Sequence, residues 1–288
     1  MKRFILLISL LLILGLVGCQ QPQKVDIAAT TLPVYEFTAR LCQGTDLTVT
    51  RLITENVSCL HDYSLKVEQM LAIESAGVVI VNGAGLEDFM EDALHGKTIV
   101  EASQGCALLE PHHDHGHHHE HDHAQDPHIW LSPIHARQMV QTIYDYLCTA
   151  YPQHQAVFQK NHTDLTAQLD ALQRYGEETL SDLSCRQLIT FHDGFGYLAE
   201  SFDLEIVRAV EEEAGSEASA RELIELISLV QEKQLPAVFT EKNGSVSAAS
   251  VISAETGVPV YALDMAMSGD SYFDSMYHNI NVLKEALQ

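Results

Sequence analysis

Gly77-Val78-Val79-Ile80-Val81 is an unbroken apolar run bounded by turn residues. A strand with apolar side chains on both faces belongs in a sheet covered on both faces, and such sheets are mainly parallel. The surrounding sequence repeats the pattern. Upstream, Val25 to Ala29 and Leu47 to Ile53 read as strands, separated by a helix that Pro33 opens and that runs to about Cys42. Val67 to Ser75 is helical, Leu86 to Leu94 a short helix, and Thr98 to Val100 a fourth strand. Pro133 starts a further helix to about Ala150. From about His154 to Leu183 the chain reads as one long helix, because Phe158, His162, Leu165, Leu169 and Leu172 recur at spacings of three and four. Gly176 is its weak point. A second alternation follows: strands at 187–191, 204–210, 237–240 and 258–263, and helices at 195–201, 220–234, 247–255 and 272–287. The expected fold class is α/β, with two Rossmann-like lobes of parallel strands joined by one long α-helix. The expected division is a lobe at 20–152, a linking helix at 153–184 and a lobe at 185–288.

The first 19 residues set the compartment. Lys2 and Arg3 precede an apolar stretch, Phe4 to Val17, that is short for a bilayer span of about 20 residues. It ends in Leu16-Val17-Gly18-Cys19, the form a lipoprotein signal peptidase accepts. Cys19 is therefore the expected lipidation site, and residues 20 onward are expected outside the cytoplasm, tethered to a membrane.

Formal charge is −24. That acidity argues against nucleic acid, whose phosphates require Lys and Arg, and it suits a protein that attracts cations. Cys42, Cys59, Cys106, Cys148 and Cys185 follow Cys19. An oxidising compartment permits disulfides, and the odd count leaves at least one thiol over. Two bridges within the first lobe are possible, with Cys59–Cys106 one candidate pair. No CxxC occurs.

Between Pro111 and Asp126 the chain holds eight of its 16 histidines: His112, His113, His115, His117, His118, His119, His121 and His123. Neutral imidazoles offer lone pairs to zinc, nickel and copper, and a tract of this kind cannot build a core. Its expected role is a secondary, low-affinity metal loop. His119-Glu120-His121-Asp122-His123 matches HExxH by letter, but that motif works on a helix, and the tract has no apolar periodicity to hold one.

Ligands in open parallel sheets bind outside the carboxyl ends of strands. Four potential metal ligands follow strands: His61, His128, His192 and Asp270. That gives two per lobe facing a shared cleft, and three imidazoles with one carboxylate make a closed tetrahedral zinc site. Each has an ordinary structural alternative: a lone His after a strand is often a core residue, and Asp270 or Ser271 could cap the last helix.

At these residues the chain resembles the metal-binding lipoproteins of zinc and manganese ABC importers, the cluster A-I solute-binding proteins. The likeness is carried by His61-Asp62-Tyr63-Ser64, by Asp126-Pro127-His128-Ile129-Trp130-Leu131-Ser132-Pro133, by Phe191-His192-Asp193-Gly194-Phe195-Gly196-Tyr197-Leu198, and by Gly269-Asp270-Ser271-Tyr272. The resemblance implies that His61, His128, His192 and Asp270 are the ligands. It also implies a metal cleft between two lobes bridged by a rigid helix, and delivery to a membrane permease driven by a cytoplasmic ATPase. Ser64-Leu65-Lys66 and Thr240-Glu241-Lys242-Asn243 depart from the family pattern. Manganese members tend to carry a carboxylate where this chain has His192, and imidazole favours zinc over manganese, so Zn2+ is the expected ion and Mn2+ the alternative. A zinc hydrolase is a further alternative, but a catalytic zinc keeps a position open for water. A third is an adhesin or zinc buffer without a transporter. The expected protein is a monomer, not an enzyme.

Overall fold

The computed structural model describes residues 25–57, 60, 63–109, 125–210 and 218–288. Cys19, Cys59, His61, the His-rich tract at 112–123 and Glu211 to Glu213 lie outside the described residues.

The first sheet contains β1 (Ile27–Ala29), β2 (Val49–Arg51), β3 (Val78–Val81) and β4 (Ile99–Glu101), all parallel, in the order β2-β1-β3-β4. β1 and β3 are central and buried throughout. Helices α1 (Leu32–Leu41), α2 (Val67–Ser75) and α3 (Glu91–Leu94) fall between these strands. The second sheet contains β5 (Gln187–Thr190), β6 (Glu205–Ala209), β7 (Val238–Glu241) and β8 (Val260–Leu263), also parallel, in the order β6-β5-β7-β8. Both lobes thus share one strand order.

Between the sheets run α4 (Pro133–Ala150) and α5 (Gln155–Thr179). The C-terminal lobe adds α6 (Gly196–Ser201), α7 (Ala220–Lys233), α8 (Ser247–Thr256) and α9 (Tyr272–Leu287). The apolar stripe Phe158, Leu165, Leu169 and Leu172 turns inward, and α5 packs on α1 and α4 from one lobe and on α9 from the other. The helix ends at Thr179, four residues short of the expected Leu183. Gly176 is not a weak point. A methyl group there would lie 2.1 Å from the Phe202 ring, so the missing side chain is what lets the C-terminal lobe close on the helix.

The lobes are joined by more than the helix. One continuous apolar core runs from β1 and β3 through Trp130 and α5 to Tyr272 and α9, and only a smaller cluster under α7 and α8 stands apart. Polar links cross the same junction. Trp130 Nε1 donates to the Met265 carbonyl at 2.7 Å, Tyr272 Oη to the Trp130 carbonyl at 2.8 Å, and the Tyr272 N–H to Glu36 Oε2 at 2.6 Å. Arg51, at the end of β2, donates to the Gly269 and Met267 carbonyls of the C-terminal lobe. A junction that is both apolar and hydrogen-bonded resists hinge opening, since moving it would expose core and strand polar groups.

Cys42, Cys106, Cys148 and Cys185 are free thiols, so the bridges possible within the first lobe are not formed among the described residues. Cys42 is buried at the end of α1, and burial pushes its thiol up to about 12. The Cys106 thiol lies by the His135 carbonyl. No helix of the described residues is long and apolar enough to cross a membrane.

Candidate metal centre

β5 ends at Thr190, and the chain turns out of the sheet through Phe191 to His192. The neighbouring strand β7 ends at Glu241. Strand order reverses between these two strands, because β6 lies on one side of β5 and β7 on the other. This is the switch point where open α/β sheets form a crevice. His192 and Glu241 occupy it together, with His192 Nδ1 3.3 Å from Glu241 Oε1 and both side chains buried. Gly194 keeps the ring in place. A methyl group there would lie 2.6 Å from His192 Cδ2 and 2.9 Å from Met265 Cε.

The second imidazole comes from the other lobe. His128 sits in the segment between β4 and α4, just before a short 3-10 turn at Ile129–Leu131 that Ser132 joins to α4 by capping it. Asp126 Oδ1 accepts from both the backbone N–H of His128, at 2.9 Å, and its Nδ1, at 2.7 Å. Asp126 is itself fixed through its backbone. Its carbonyl accepts from Tyr197 Oη of α6, its N–H donates to the Leu109 carbonyl, and Tyr197 Oη accepts from the Leu109 N–H. The two ends of the His-rich tract, at Leu109 and Asp126, are therefore pinned side by side, two residues from His128.

The two rings meet edge to face, 5.1 Å between centroids, and their Nε2 atoms are 3.3 Å apart. Only 4% of His128 and 1% of His192 is exposed. Asp126 Oδ1 holds the proton on His128 Nδ1 and leaves a lone pair on its Nε2, and His192 Nε2 meets that lone pair at hydrogen-bond distance. A proton on His192 Nε2 bridges the two rings in the metal-free protein, and a metal cation bound by both nitrogens would replace that proton. Two nitrogens bound to one tetrahedral zinc at about 2.0–2.1 Å stand about 3.3–3.4 Å apart, which is the spacing here.

The expected ligands stand as follows. His128 and His192 are brought together. His61 lies outside the described residues. Asp270 is exposed on the loop between β8 and α9. Among the described residues no three His, Cys, Asp or Glu side chains form a group able to hold a metal. Asp270 is not spent as a helix cap, since Ser271 caps α9 by accepting from the Asp274 N–H. Asp126 and Glu241, which face the two imidazoles, are residues that spacing alone did not single out. The signal for Asp126 was an aspartate two residues before a histidine, and for Glu241 an acid closing an apolar strand.

Two α/β lobes, welded at their junction and offering buried imidazole nitrogens to one cation, define a metal-binding protein with its site between lobes. The chain belongs to the family described as "ZnuA: Zinc-uptake complex component A periplasmic", whose model matches residues 27–286. It is 31% identical over 308 residues to the zinc-binding lipoprotein AdcA of Streptococcus pneumoniae (strain TIGR4), covering 99% of this chain but only 61% of AdcA. It is 28% identical over 282 residues to the high-affinity zinc uptake system protein ZnuA of Bacillus subtilis, covering 92% of this chain and 88% of that one. A crystal structure of ZnuA superposes with a TM-score of 0.81 at 27% identity, covering 92% of this chain and all of that one. The Zn(II)-bound ZnuA-like domain of Streptococcus pneumoniae AdcA gives 0.76 at 28% identity, covering 92% and 99%.

Proposed function

We propose that this chain is an extracytoplasmic zinc-binding protein that captures Zn2+ in the cleft between its lobes and delivers it to an ABC permease with a cytoplasmic ATPase. The observation that carries the reading is the buried pair of Nε2 atoms 3.3 Å apart, with His128 Nδ1 bonded to Asp126 and Glu241 Oε1 3.3 Å from His192 Nδ1. Family membership and the zinc named in the relatives support the ion.

In this reading zinc is cargo. His128 and His192 supply two ligands, and His61 and Asp270, one from each lobe, complete four. Asp126 and Glu241 orient the imidazoles and raise their basicity. A full set of four protein ligands leaves no position for an activated water, which fits transport and not hydrolysis. The leader ends at Cys19, which carries the lipid anchor. Residues 20–152 form the first lobe, 153–184 the linking helix and 185–288 the second lobe, and the protein acts as a monomer. The His-rich tract at 112–123 gathers zinc weakly at the mouth of the cleft. Because Leu109 and Asp126 lie together, the tract can be removed without stretching the chain.

The test is competition titration with metal content read by mass spectrometry. The parent should hold one tight zinc plus weaker equivalents. Deleting residues 112–123 should keep the tight ion and lose the weaker ones. His192→Ala should lose the tight one. Tight manganese binding that zinc does not displace would overturn the zinc reading.

A further inference from the structure

The imidazole pair is walled by apolar side chains as well as faced by carboxylates. Met265 lies two residues past the end of β8 and is only 4% exposed. A methyl group built on Gly194 would lie 2.8 Å from His192 Nε2 and 2.9 Å from Met265 Cε. The thioether methyl and the imidazole nitrogen therefore flank one point, which Gly194 leaves free of side chain. On the other ring, Trp130 is buried with its ring centroid 5.3 Å from that of His128.

The chain holds Met265 in place. Its carbonyl accepts from Trp130 Nε1 at 2.7 Å, so the two apolar neighbours of the two imidazoles are joined by one hydrogen bond across the lobes. The next residue, Ala266, has a φ of 53°, a left-handed conformation that alanine seldom adopts. Its N–H donates to Asp264 Oδ1 at 2.8 Å. Asp264 is fixed in turn, its backbone bonded both ways to the Asn279 amide and its Oδ2 accepting from Lys242 Nζ and Ser275 Oγ. A strained backbone persists where its surroundings over-determine it, and such strain clusters at ligand sites. Here it fixes where the Met265 side chain leaves the main chain.

A methyl group donates nothing to a cation, but it denies water the space it fills. Zinc is satisfied by four ligands. Manganese and magnesium favour six oxygen donors, and magnesium keeps bound water where the protein supplies fewer. Added water on the Met265 side would have to displace the thioether. The wall thus penalises an ion that needs six ligands and leaves a four-coordinate ion untouched.

We propose that Met265 is a specificity-determining residue, whose thioether seals the His192 side of the imidazole pair against water and so favours zinc over manganese. The proposal rests on the zinc-capture reading and adds to it a source of selectivity that is not a ligand. An unbranched, flexible side chain suits the role, because it fills irregular space as the ring adjusts to its ion.

The experiment is competition titration of zinc against manganese on the purified full chain, with the visible spectrum of the Co2+ form as a second readout. Tetrahedral Co2+ absorbs strongly in the visible and six-coordinate Co2+ weakly, so the band reports coordination number independently of affinity. Met265→Ala should shift the zinc-to-manganese affinity ratio toward manganese by about ten-fold or more and weaken the Co2+ band. Met265→Leu keeps an apolar side chain of similar volume and should hold both readouts within about three-fold of the parent. Met265→Val, a milder truncation that carries the test should Met265→Ala not melt cooperatively, should shift both in the same direction by less. Met139→Ala, which truncates a methionine buried in α4, should match the parent in both and so separates lost packing from lost sealing.

A parent that binds manganese in preference to zinc overturns the zinc-capture reading and the seal with it. A zinc-selective parent whose Met265→Ala and Met265→Val forms keep the parental ratio and Co2+ band overturns the seal alone. So does an equal shift in Met139→Ala. A Met265→Leu form that loses zinc as far as Met265→Ala does would make the sulfur a ligand, and that too overturns the seal.

Discussion

The two sheets have the same strand order and use the same place in it in opposite ways. In the C-terminal lobe the crevice between β5 and β7 holds His192 against Glu241, with Nε2 turned toward a ligand. In the N-terminal lobe the matching crevice lies between β1 and β3, and the protein fills it with its own anion. Glu87 is buried there. Its Oε1 accepts from Thr30 Oγ1 at 2.7 Å and from the Asn82 N–H at 2.8 Å, and its Oε2 accepts from the Gly83 N–H at 3.0 Å. Backbone N–H groups that could cradle an external anion are thus satisfied from inside. The first lobe must offer its described imidazole from elsewhere, and His128 comes from beyond β4. One topology therefore supplies a binding crevice in one lobe and a rigid prop in the other, and side chains decide which.

The strongest way to break this contrast is to empty each crevice in turn. His192→Ala removes a ligand. It should lower zinc affinity by more than the about 10–100-fold that losing an orienting partner costs. Thermal stability of the metal-free protein should fall by no more than about 2 kcal/mol, the cost of losing one buried hydrogen bond between the rings. Isothermal competition titration and a melting curve check both halves. A His192→Ala protein with parental affinity would remove the C-terminal crevice from the site.

Glu87 should show the opposite profile, with stability affected and the tight metal site retained. Burial raises its carboxyl from 4.5 to about 7, against the pull of three hydrogen bonds. A carboxyl raised in the folded state holds its proton more tightly folded than unfolded, so its contribution to stability is complete below about pH 4.5 and is lost as pH rises through about 7. The change across that window is up to about 3 kcal/mol. Glu87→Gln should remove that slope from the metal-free protein. It should also lower stability by about 1–3 kcal/mol at acid pH, because the amide NH2 must face a donor that the carboxyl accepted. Urea midpoints between pH 5 and 7.5 for both proteins test this, and parallel slopes would count against it.

The orienting carboxylates come next. Asp126→Asn and Glu241→Gln each keep the shape and weaken the hold on Nδ1, so zinc affinity should fall about 10–100-fold in each. Asp126→Asn should cost more, because its bond to His128 is 2.7 Å against 3.3 Å at Glu241. Equal losses would mean that the two rings are positioned by packing rather than by their carboxylates.

These residues also mark how far the sequence could be read. Alternation and apolar periodicity are local, so α2, α4 and α9 are bounded by sequence to the residue. The two-lobe architecture follows from the repeat of that alternation. His128 and His192 are legible because loops after parallel strands converge at one end. Glu87 is not, since its partners Thr30, Asn82 and Gly83 come from two other strand ends and a glutamate in a short helix looks solvated. Gly176 reads as a flaw until Phe202, distant in sequence, is seen against it. The thiols carry no pairing information in their spacing, and the bridges left possible in the first lobe do not form among the described residues.

The smallest effect concerns the link between prop and ligand. Asn82 follows β3, and while its N–H donates to Glu87, its Nδ2 donates to the Pro127 carbonyl at 2.9 Å and to the Gly83 carbonyl at 3.0 Å. Pro127 is the residue before His128, so this side chain ties the filled crevice to the segment carrying the first lobe's described imidazole. Asp126 and Tyr197 hold the same segment from the other side, and the N–H to Glu87 survives any side-chain change at position 82. Asn82→Ala should therefore cost about 1–2 kcal/mol of stability for one buried carbonyl left unpaired, and less than ten-fold in zinc affinity. Asn82→Asp makes the sharper probe. It keeps the size but replaces the donor with an acceptor facing the Pro127 carbonyl, so it should weaken zinc binding more than Asn82→Ala does. If Asn82→Asp and Asn82→Ala bind zinc alike, the prop and the ligand segment are independent, and the filled crevice serves stability alone.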